Sequence, residues 1–250
     1  MSQTKIIINA DDCGKSQLVN AEIEKCINEK KITSTTVMAN MEDFDGAKKL
    51  YNTYKDVISF GWHINLTEGE PLTRSQLLLD KGYYLEQDGR VVFNGKAFWS
   101  SRLNKNMRSE IRKELHTQYE KLKDNGIEIT HADSHQHIHT SPSVFFMMPG
   151  LLSELKIVRC RRVRNYVASK KERLLRNAWA VPLKLKGLKM TDSFGAFSEF
   201  VKNMEIPHGD VVELMCHPGH PGQEYRDEYE VLKEFDLQKL NAELISYKEL

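Results

Sequence analysis

Four of the nine histidines in this 250-residue chain fall in the stretch "THADSHQHIHTSP". They are His131, His135, His137 and His139, and Asp133 lies among them. Imidazole and carboxylate groups ligate metals and carry protons, so the segment invites a metal or acid–base reading. Read as a strand, it puts His131, Asp133, His135, His137 and His139 on one face, with neighbours two apart separated by roughly 6.6 Å. A metal–imidazole bond is only ~2.0–2.1 Å long. One ion can therefore take one or two of these neighbours, and its remaining ligands must come from distant parts of the chain. The other residues would orient ligands, touch substrate or pack. The rival reading is a polar strand lining a cavity without metal.

Three further motifs offer partners. "NADDCGKS" sets Asp11 and Asp12 side by side after an apolar run and before a glycine turn. Neighbouring strand residues point to opposite faces, but at a strand end the chain turns and both acids can reach one cleft. One acid could then be held by a metal and the other act as a base, although acids before glycine are also ordinary turn residues. In "FGWHINLTEG" His63 sits between Trp62 and Ile64, as a ligand or as a satisfied core histidine. "ELMCHPGHPG" places His217 where Pro218 and Gly219 force a turn, a strand end suited to a general acid or to a histidine with no further role. His220, beyond it, reads as incidental. Taken together, two acids and three separated histidines, each near a strand end, are the makings of a mononuclear hydrolytic metal site. Such ligands suit Zn²⁺, Mn²⁺, Co²⁺ or Fe²⁺ better than Mg²⁺. No G-x-S-x-G elbow and no phosphate-binding glycine loop is present, which argues against serine hydrolysis and nucleotide chemistry.

The elements that must carry these residues alternate between strand and helix. "KIIINA", "ITSTTVMAN", "VISFGWHINLT", "IEITHADSHQHIH", "IVRCRRVR" and "DVVELMCH" read as strands, with a short last one expected in "ELISYKEL". "SQLVNAEIEKCINEKK", capped by Ser16, "FDGAKKLYNTYKD" and "RSEIRKELHTQYEKLKDNG", closed by Asn125-Gly126, read as helices. "PSVFFMMPGLLSEL" reads as a helix broken near Pro149-Gly150, and "SKKERLLRNAWAVPLKLKG" as one interrupted at Pro182. Sustained alternation implies parallel strands with helical crossovers, and the acids and histidines collect at strand C-terminal ends. We expect an α/β fold, a distorted (β/α) barrel in a single domain over residues 1–250, with a doubly wound open sheet as the alternative. Residues 68–106 break the rhythm with glycines and aromatics, and are expected to form a lid or a substrate-binding excursion; a small surface hairpin around "QDGR" is the plainer option.

Composition sets outer limits. Hydrophobic content is 40%, charged content 28% and net charge +1, so nothing global favours a nucleic-acid or membrane partner. Locally, Arg159, Arg161, Arg162, Arg164, Lys170, Lys171, Arg173 and Arg176 face only Glu172. That run is a solvated face or an anion site for an acidic or phosphorylated substrate. Cys13, Cys26, Cys160 and Cys216 form no C-x-x-C pair, which fits a reducing cytoplasm. The N-terminal apolar run is too short for a signal peptide, and no segment approaches the ~20 apolar residues of a membrane span. A cytoplasmic protein is expected.

The blocks "IINADDCGKS", "ITSTTVMAN", "GWHINLTEG", "THADSHQHIH" and "ELMCHPGH", in this order from near residue 5 to about 222, resemble the YdjC-like carbohydrate deacetylases, which include chito-oligosaccharide deacetylases. That family is similar in site design to the NodB-type polysaccharide deacetylases, with an Asp-His-His metal site on a distorted (β/α) barrel. The resemblance implies one divalent metal ion held by Asp12, His63 and His135, with Asp11 as general base and His217 as general acid. It implies removal of acetyl from an N-acetylated sugar or chito-oligosaccharide, releasing acetate. The metal would be Mg²⁺ by family habit and Zn²⁺ by ligand chemistry. Asp133, His137, His139 and Arg162 would then contact substrate or orient ligands, His139 above all touching substrate, and the basic cluster favours a phosphorylated sugar. The family is often dimeric, though no interface stripe shows here. Three departures stand out: Cys13 and His220 where aromatics are usual, which bears on substrate fit, and a shortened chain after Tyr225, which bears on barrel closure. Rival readings are another metal-dependent barrel hydrolase, a phosphoesterase or amidohydrolase, and a non-catalytic sugar-binding relative.

Overall fold

The computed structural model describes residues 3–100, 102–166, 169–203, 211–220, 228–237 and 242–250. The chain opens with β1 (Lys5–Cys13), α1 (Gln17–Asn28), β2 (Ser34–Val37), α2 (Phe44–Tyr54) and β3 (Ser59–Ile64). An excursion follows with α3 (Gln76–Asp80), the hairpin β4 (Tyr84–Gln87) and β5 (Arg90–Phe93), and α4 (Gly95–Ser100). Then come α5 (Lys105–Asp124), β6 (Ala132–Ser134), α6 (Pro142–Phe145), α7 (Met148–Glu154), α8 (Lys170–Trp179) and α9 (Val181–Leu185). The chain continues with β7 (Ser193–Ala196), α10 (Phe197–Asn203), β8 (Val211–Cys216), α11 (Glu228–Glu234) and β9 (Glu243–Leu244).

The main sheet is parallel, in the order β6-β3-β2-β1-β8-β7, and β9 pairs with the start of β1. It curls into the expected distorted (β/α) barrel. The remaining arc, expected as a strand through "IVRCRRVR", holds only isolated bridges, from Cys160 to Ala132 and from Arg159 to Lys189. In those bridges Ala132 bonds to Arg159 O and Arg161 N–H, and Lys189 to Val158 O and Cys160 N–H, isolated pairs rather than a continuous ladder. Burial on both faces explains the continuous apolar run of β1. Ile6, Ile8 and Ala10 join the helix-facing core with Ile23 and Cys26 of α1, Leu50 of α2, and Ile111 and Leu115 of α5. Ile7 packs instead with Ile245 and Tyr247. By alternation, Asn9 and Asp11 share the inner face with Ile7. His63 of β3, Asp133 of β6 and Glu213 of β8 also belong to a polar, buried interior.

Helix boundaries follow the expected signals. Ser16 Oγ accepts from Val19 N–H, and α5 stops before Asn125 and Gly126, whose φ is 75°; α5 starts earlier than expected, at Lys105, where Asn104 Oδ1 accepts from Met107 N–H. The helix expected to break at Pro149-Gly150 breaks earlier, between Phe145 and Met148, because Pro149 is tolerated in the first turn of α7. The interruption at Pro182 is present, again with proline in a first turn, that of α9.

The strand expected through "IEITHADSHQHIH" is largely absent. Its ladder is β6 alone, and His135–Thr140 form a 3₁₀ turn in which Gln136 and His137 have φ of 50° and 55°. Ser134 drives the change: its Oγ accepts from His139 N–H at 3.0 Å and lies 2.5 Å from His139 Nδ1, drawing the chain back on itself. Period-two alternation thus does not govern His135, His137 and His139.

The excursion at 68–106 includes the small hairpin foreseen around "QDGR". Asp88 and Gly89, both at positive φ (51° and 76°), make its two-residue turn, as right-handed strand twist favours. Tyr83, Tyr84, Phe93 and Phe98 are buried edge-to-face in it, whereas Trp99 is 46% exposed. At the opposite end, the C-terminal segment plugs the barrel: Tyr247 is fully buried, stacked on His131 at 3.6 Å. Gly61 is required there, since a Cβ on it would meet the His131 ring at 2.5 Å.

Candidate metal centre and active site

The paired acids reach one cleft through a bulge. β1 and β2 lose register between Ala10 and Cys13, and Asp12 takes φ of 69°, a left-handed conformation that aspartate tolerates better than most residues. Asp12 then faces two imidazoles: His63 Nε2 at 3.0 Å and His135 Nδ1 at 2.7 Å from its Oδ1. One ligand atom from each of Asp12, His63 and His135 lies within 4.8 Å of the others, and all three residues are buried. The 3₁₀ turn delivers His135, a job the expected strand was to do.

The electrostatics suit a cation. Burial pulls the His63 imidazole down, but Asp133, Asp12 and Asp11 outweigh it and raise its pKa to about 10. His135 is raised as well, with burial opposed by Asp12 and Glu68. Burial pushes Asp12 up, yet the imidazoles of His135, His220 and His63 hold it well below the usual carboxylate range. The site thus favours positive charge on both imidazoles, the sign of charge that a metal would bring. Two imidazoles and one carboxylate, with open approach from the cleft, fit a mononuclear divalent ion. Each ring also has a carboxylate on its other nitrogen. His63 Nδ1 is 2.6 Å from Asp133 Oδ1, and His135 Nε2 is 2.7 Å from Glu68 Oε2.

A second cluster, Asp11, His63 and Asp133, has the same compactness. Arg161 already neutralises it. Its guanidinium, fully buried, grips Asp11 through two bonds of 2.7 Å, reaches Asp133 Oδ2 at 2.8 Å and Glu213 Oε1 at 2.7 Å, and lies 4.6 Å from the Phe194 ring centre. A second cation there would meet this one at close range, which disfavours a two-metal site. Against the cost of burial, Arg161 holds the Asp11 carboxyl far below its usual range. Burial pushes Glu213 up to about 7 despite Arg161, and Tyr247 donates to Glu213 at 2.5 Å.

His217 stands across the cleft, its Nε2 3.8 Å from Asp11 Oδ2. Its backbone N–H donates to Glu228 Oε2 at 2.6 Å, and its Nδ1 lies 3.1 Å from the same oxygen. Burial lowers the imidazole pKa, but Glu228, Asp11 and Asp12 raise it overall. Asp11, Asp12, Lys15, Glu68, His135, His137, Met215 and His217 line a cleft of about 540 Å³. A groove of about 520 Å³ shares His137 and Arg164 with it, and adds Trp99, Trp179, Phe194, Arg162 and Arg176.

The other sequence candidates separate by position. His137 lines both hollows, whereas His139 is folded behind Asp133 in a small enclosed space with Ile64, Phe145 and Leu183. Asp133 is a hub, touching His63, Arg161 and, through Thr36 Oγ1 at 3.1 Å, β2. His131 is remote from the cleft, under Tyr247. Arg162 borders the groove but is committed to Thr191 O, Asp192 O and Asn177 Oδ1. His220, set aside as incidental, places Nε2 3.0 Å from Asp12 Oδ2. Glu68, Glu228, Glu213, Lys15 and Tyr247 were not singled out, and Arg161 only as one of a basic run. Each is an ordinary charged or aromatic residue that acts through contacts made only by the fold, such as Glu68 with His135 and Tyr247 with Glu213, so spacing carries no trace of it.

The family model described as YdjC-like protein matches residues 5–243. A carbohydrate deacetylase of Clostridium beijerinckii is 30% identical over 216 residues, 86% of this chain and 82% of that protein. A chitooligosaccharide deacetylase of Citrobacter koseri is 31% identical over 225 residues, 85% of this chain and 81% of that protein. The crystal structure of an Enterococcus faecalis protein superposes with a TM-score of 0.76 over 99% of both chains at 19% identity, a likeness of fold. The chain therefore belongs to the YdjC-like carbohydrate deacetylase family.

Proposed function

We propose that this protein is a metal-dependent deacetylase that hydrolyses the acetamido group of an N-acetylated sugar or chito-oligosaccharide and releases acetate. The convergence of Asp12, His63 and His135, with Asp12 and His135 lining the cleft beside Asp11 and His217, carries this reading. The deacetylase names of the relatives of Clostridium beijerinckii and Citrobacter koseri support it. A divalent cation held by those three residues would acidify a water molecule and polarise the acetamide carbonyl.

The chain's own groups do the rest. Asp11, kept anionic by Arg161, accepts the proton of the attacking water. It is a weak base by itself, and its role needs a water made acidic. His217, kept protonated by Glu228, gives a proton to the departing amine as the carbon–nitrogen bond breaks. His137 and Trp99 offer sugar-facing surface in the cleft and the adjoining groove, with Trp99 as the contribution of the 68–106 excursion. Arg164, paired with Glu199, and Arg176, bonded to Arg164 O, border the groove with Arg162 and would meet a phosphorylated or otherwise acidic sugar there. Four buried cysteines, none of them in a disulfide, support a cytoplasmic site of action.

The test is acetate release from di-N-acetylchitobiose and its 6-phosphate, with metal supplied. Release of acetate with matching free amine is expected, faster for the phosphate. No release from any acetamido sugar would overturn the proposal. Equal rates for both forms, unchanged in Arg164→Ala, would remove the phosphorylated substrate alone.

A further inference from the structure

The two histidines on Asp12 Oδ1, His63 and His135, are held alike, and only one of the two holders is accounted for by the barrel interior. His63 turns Nε2 to Asp12 and Nδ1 to Asp133. His135 turns Nδ1 to Asp12 and Nε2 to Glu68, at 2.7 Å on each side. A carboxylate has no proton to give at neutral pH, so a ring nitrogen facing one carries it; an ion held at Asp12 would take the place of the proton on that side and leave the one facing Glu68. We propose that Glu68 is the positioning residue of His135: it fixes the Nε2–H form, so that Nδ1 is presented to the ion. This rests on the metal-site reading above and extends it to a residue outside the ligand set.

The turn that carries Glu68 is built to hold it still. Asn65 is fully buried, and its Oδ1 accepts from Thr67 N–H at 3.0 Å and Glu68 N–H at 3.1 Å. Its Nδ2 donates to Glu68 O at 2.7 Å. Gln118 of α5 clamps the Asn65 backbone, donating to its carbonyl at 2.7 Å and accepting from its N–H at 3.2 Å. From the other side, Lys15 Nζ meets Glu68 Oε2 at 2.8 Å. The carboxylate is therefore fixed from α5, through the turn, to the ring edge of His135. Its side chain is 37% exposed, so replacing it leaves the core intact.

The experiment titrates Zn²⁺ against a competing chelator with the full-length wild type, Glu68→Ala, Glu68→Gln and His135→Ala, and records visible spectra of the Co²⁺ forms. Glu68→Ala is expected to bind Zn²⁺ about 10–100-fold more weakly, the range for loss of a carboxylate behind a ligating histidine. Its Co²⁺ band shape should stay that of wild type, because the ligands are unchanged. Glu68→Gln should recover part of the affinity, since the amide oxygen still accepts from Nε2–H. Metal-free melting temperatures should agree for wild type and both Glu68 variants. Equal affinity in Glu68→Ala and wild type overturns the proposal. So does a loss as large as that of His135→Ala with an altered Co²⁺ spectrum, which would make Glu68 itself a ligand. A wild type that takes up no divalent ion refutes the metal site, and the role of Glu68 with it.

Discussion

Asp12, His63 and His135 meet although 51 and 123 positions separate the histidines from the acid, by the differences of their numbers. Their types and strand-end positions were legible in the sequence, and family resemblance singled out these three. What could not be read was how His135 gets there. Strand alternation made five residues equivalent, and the left-handed Gln136 and His137 undo that equivalence. Ser134 bonds back to His139, a local competition that side-chain spacing does not reveal. We predict that His135→Ala loses the bound ion, while His137→Ala and His139→Ala retain it, as read by elemental analysis after dialysis. His137→Ala should raise KM, because its ring lines the cleft. A second prediction concerns protons. His63 is raised to about 10, so it is protonated at pH 7 before metal enters, and His135 is raised too. An ion needs neutral imidazole, so binding should release about one to two protons, and apparent affinity should fall as pH falls. Calorimetry in buffers of different ionisation enthalpy reads this number; zero released protons would contradict it.

At the scale of elements, strand ends and turns do the positioning. The strand–helix alternation, the caps of α1 and α5 and the short last strand were visible as patterns. The arc from 157 to 164 was not, because it carries strand-like residues yet pairs only at isolated points. Its task is to bring Arg161 inward, where side-chain bonds replace the ladder. β8 ends at Cys216, and α11 returns Glu228 to the first residue beyond it, bonding both the backbone and the ring of His217. A raised imidazole pKa means that the protonated form persists to higher pH. The alkaline limb of kcat/KM should therefore lie above the ~6.5 of free imidazole. Glu228→Gln removes the carboxylate charge and should shift that limb to lower pH. An unchanged pH profile in this variant would detach His217 from the limb.

For the molecule as a whole, hydrophobic layers lie outside the sheet and a charged network fills the barrel. Arg161 ties β1, β6 and β8 together through Asp11, Asp133 and Glu213, with Tyr247 closing the far end. Barrel closure, placed in question by the short C-terminal stretch, is served by β9 and by Ile245 and Tyr247 packed beneath β1. The barrel was legible because burial on both faces leaves continuous apolar strands. Its interior was not, since arginine in a basic run looks like a solvated residue. Removing one partner from a buried ion network leaves charges uncompensated and costs roughly 3–5 kcal/mol. Arg161→Met should lower the unfolding free energy by about that much in urea titration at pH 7. A change below about 1 kcal/mol would show that the network contributes little to stability.

The most direct measurement of the central claim is acetate release from di-N-acetylchitobiose by one preparation in three states: as loaded with metal, after chelation, and after reloading. The geometry at Asp12, His63 and His135 predicts turnover, its loss, and its return, with His135→Ala inactive throughout. Deacetylation that survives complete chelation, or that persists in His135→Ala, would contradict it.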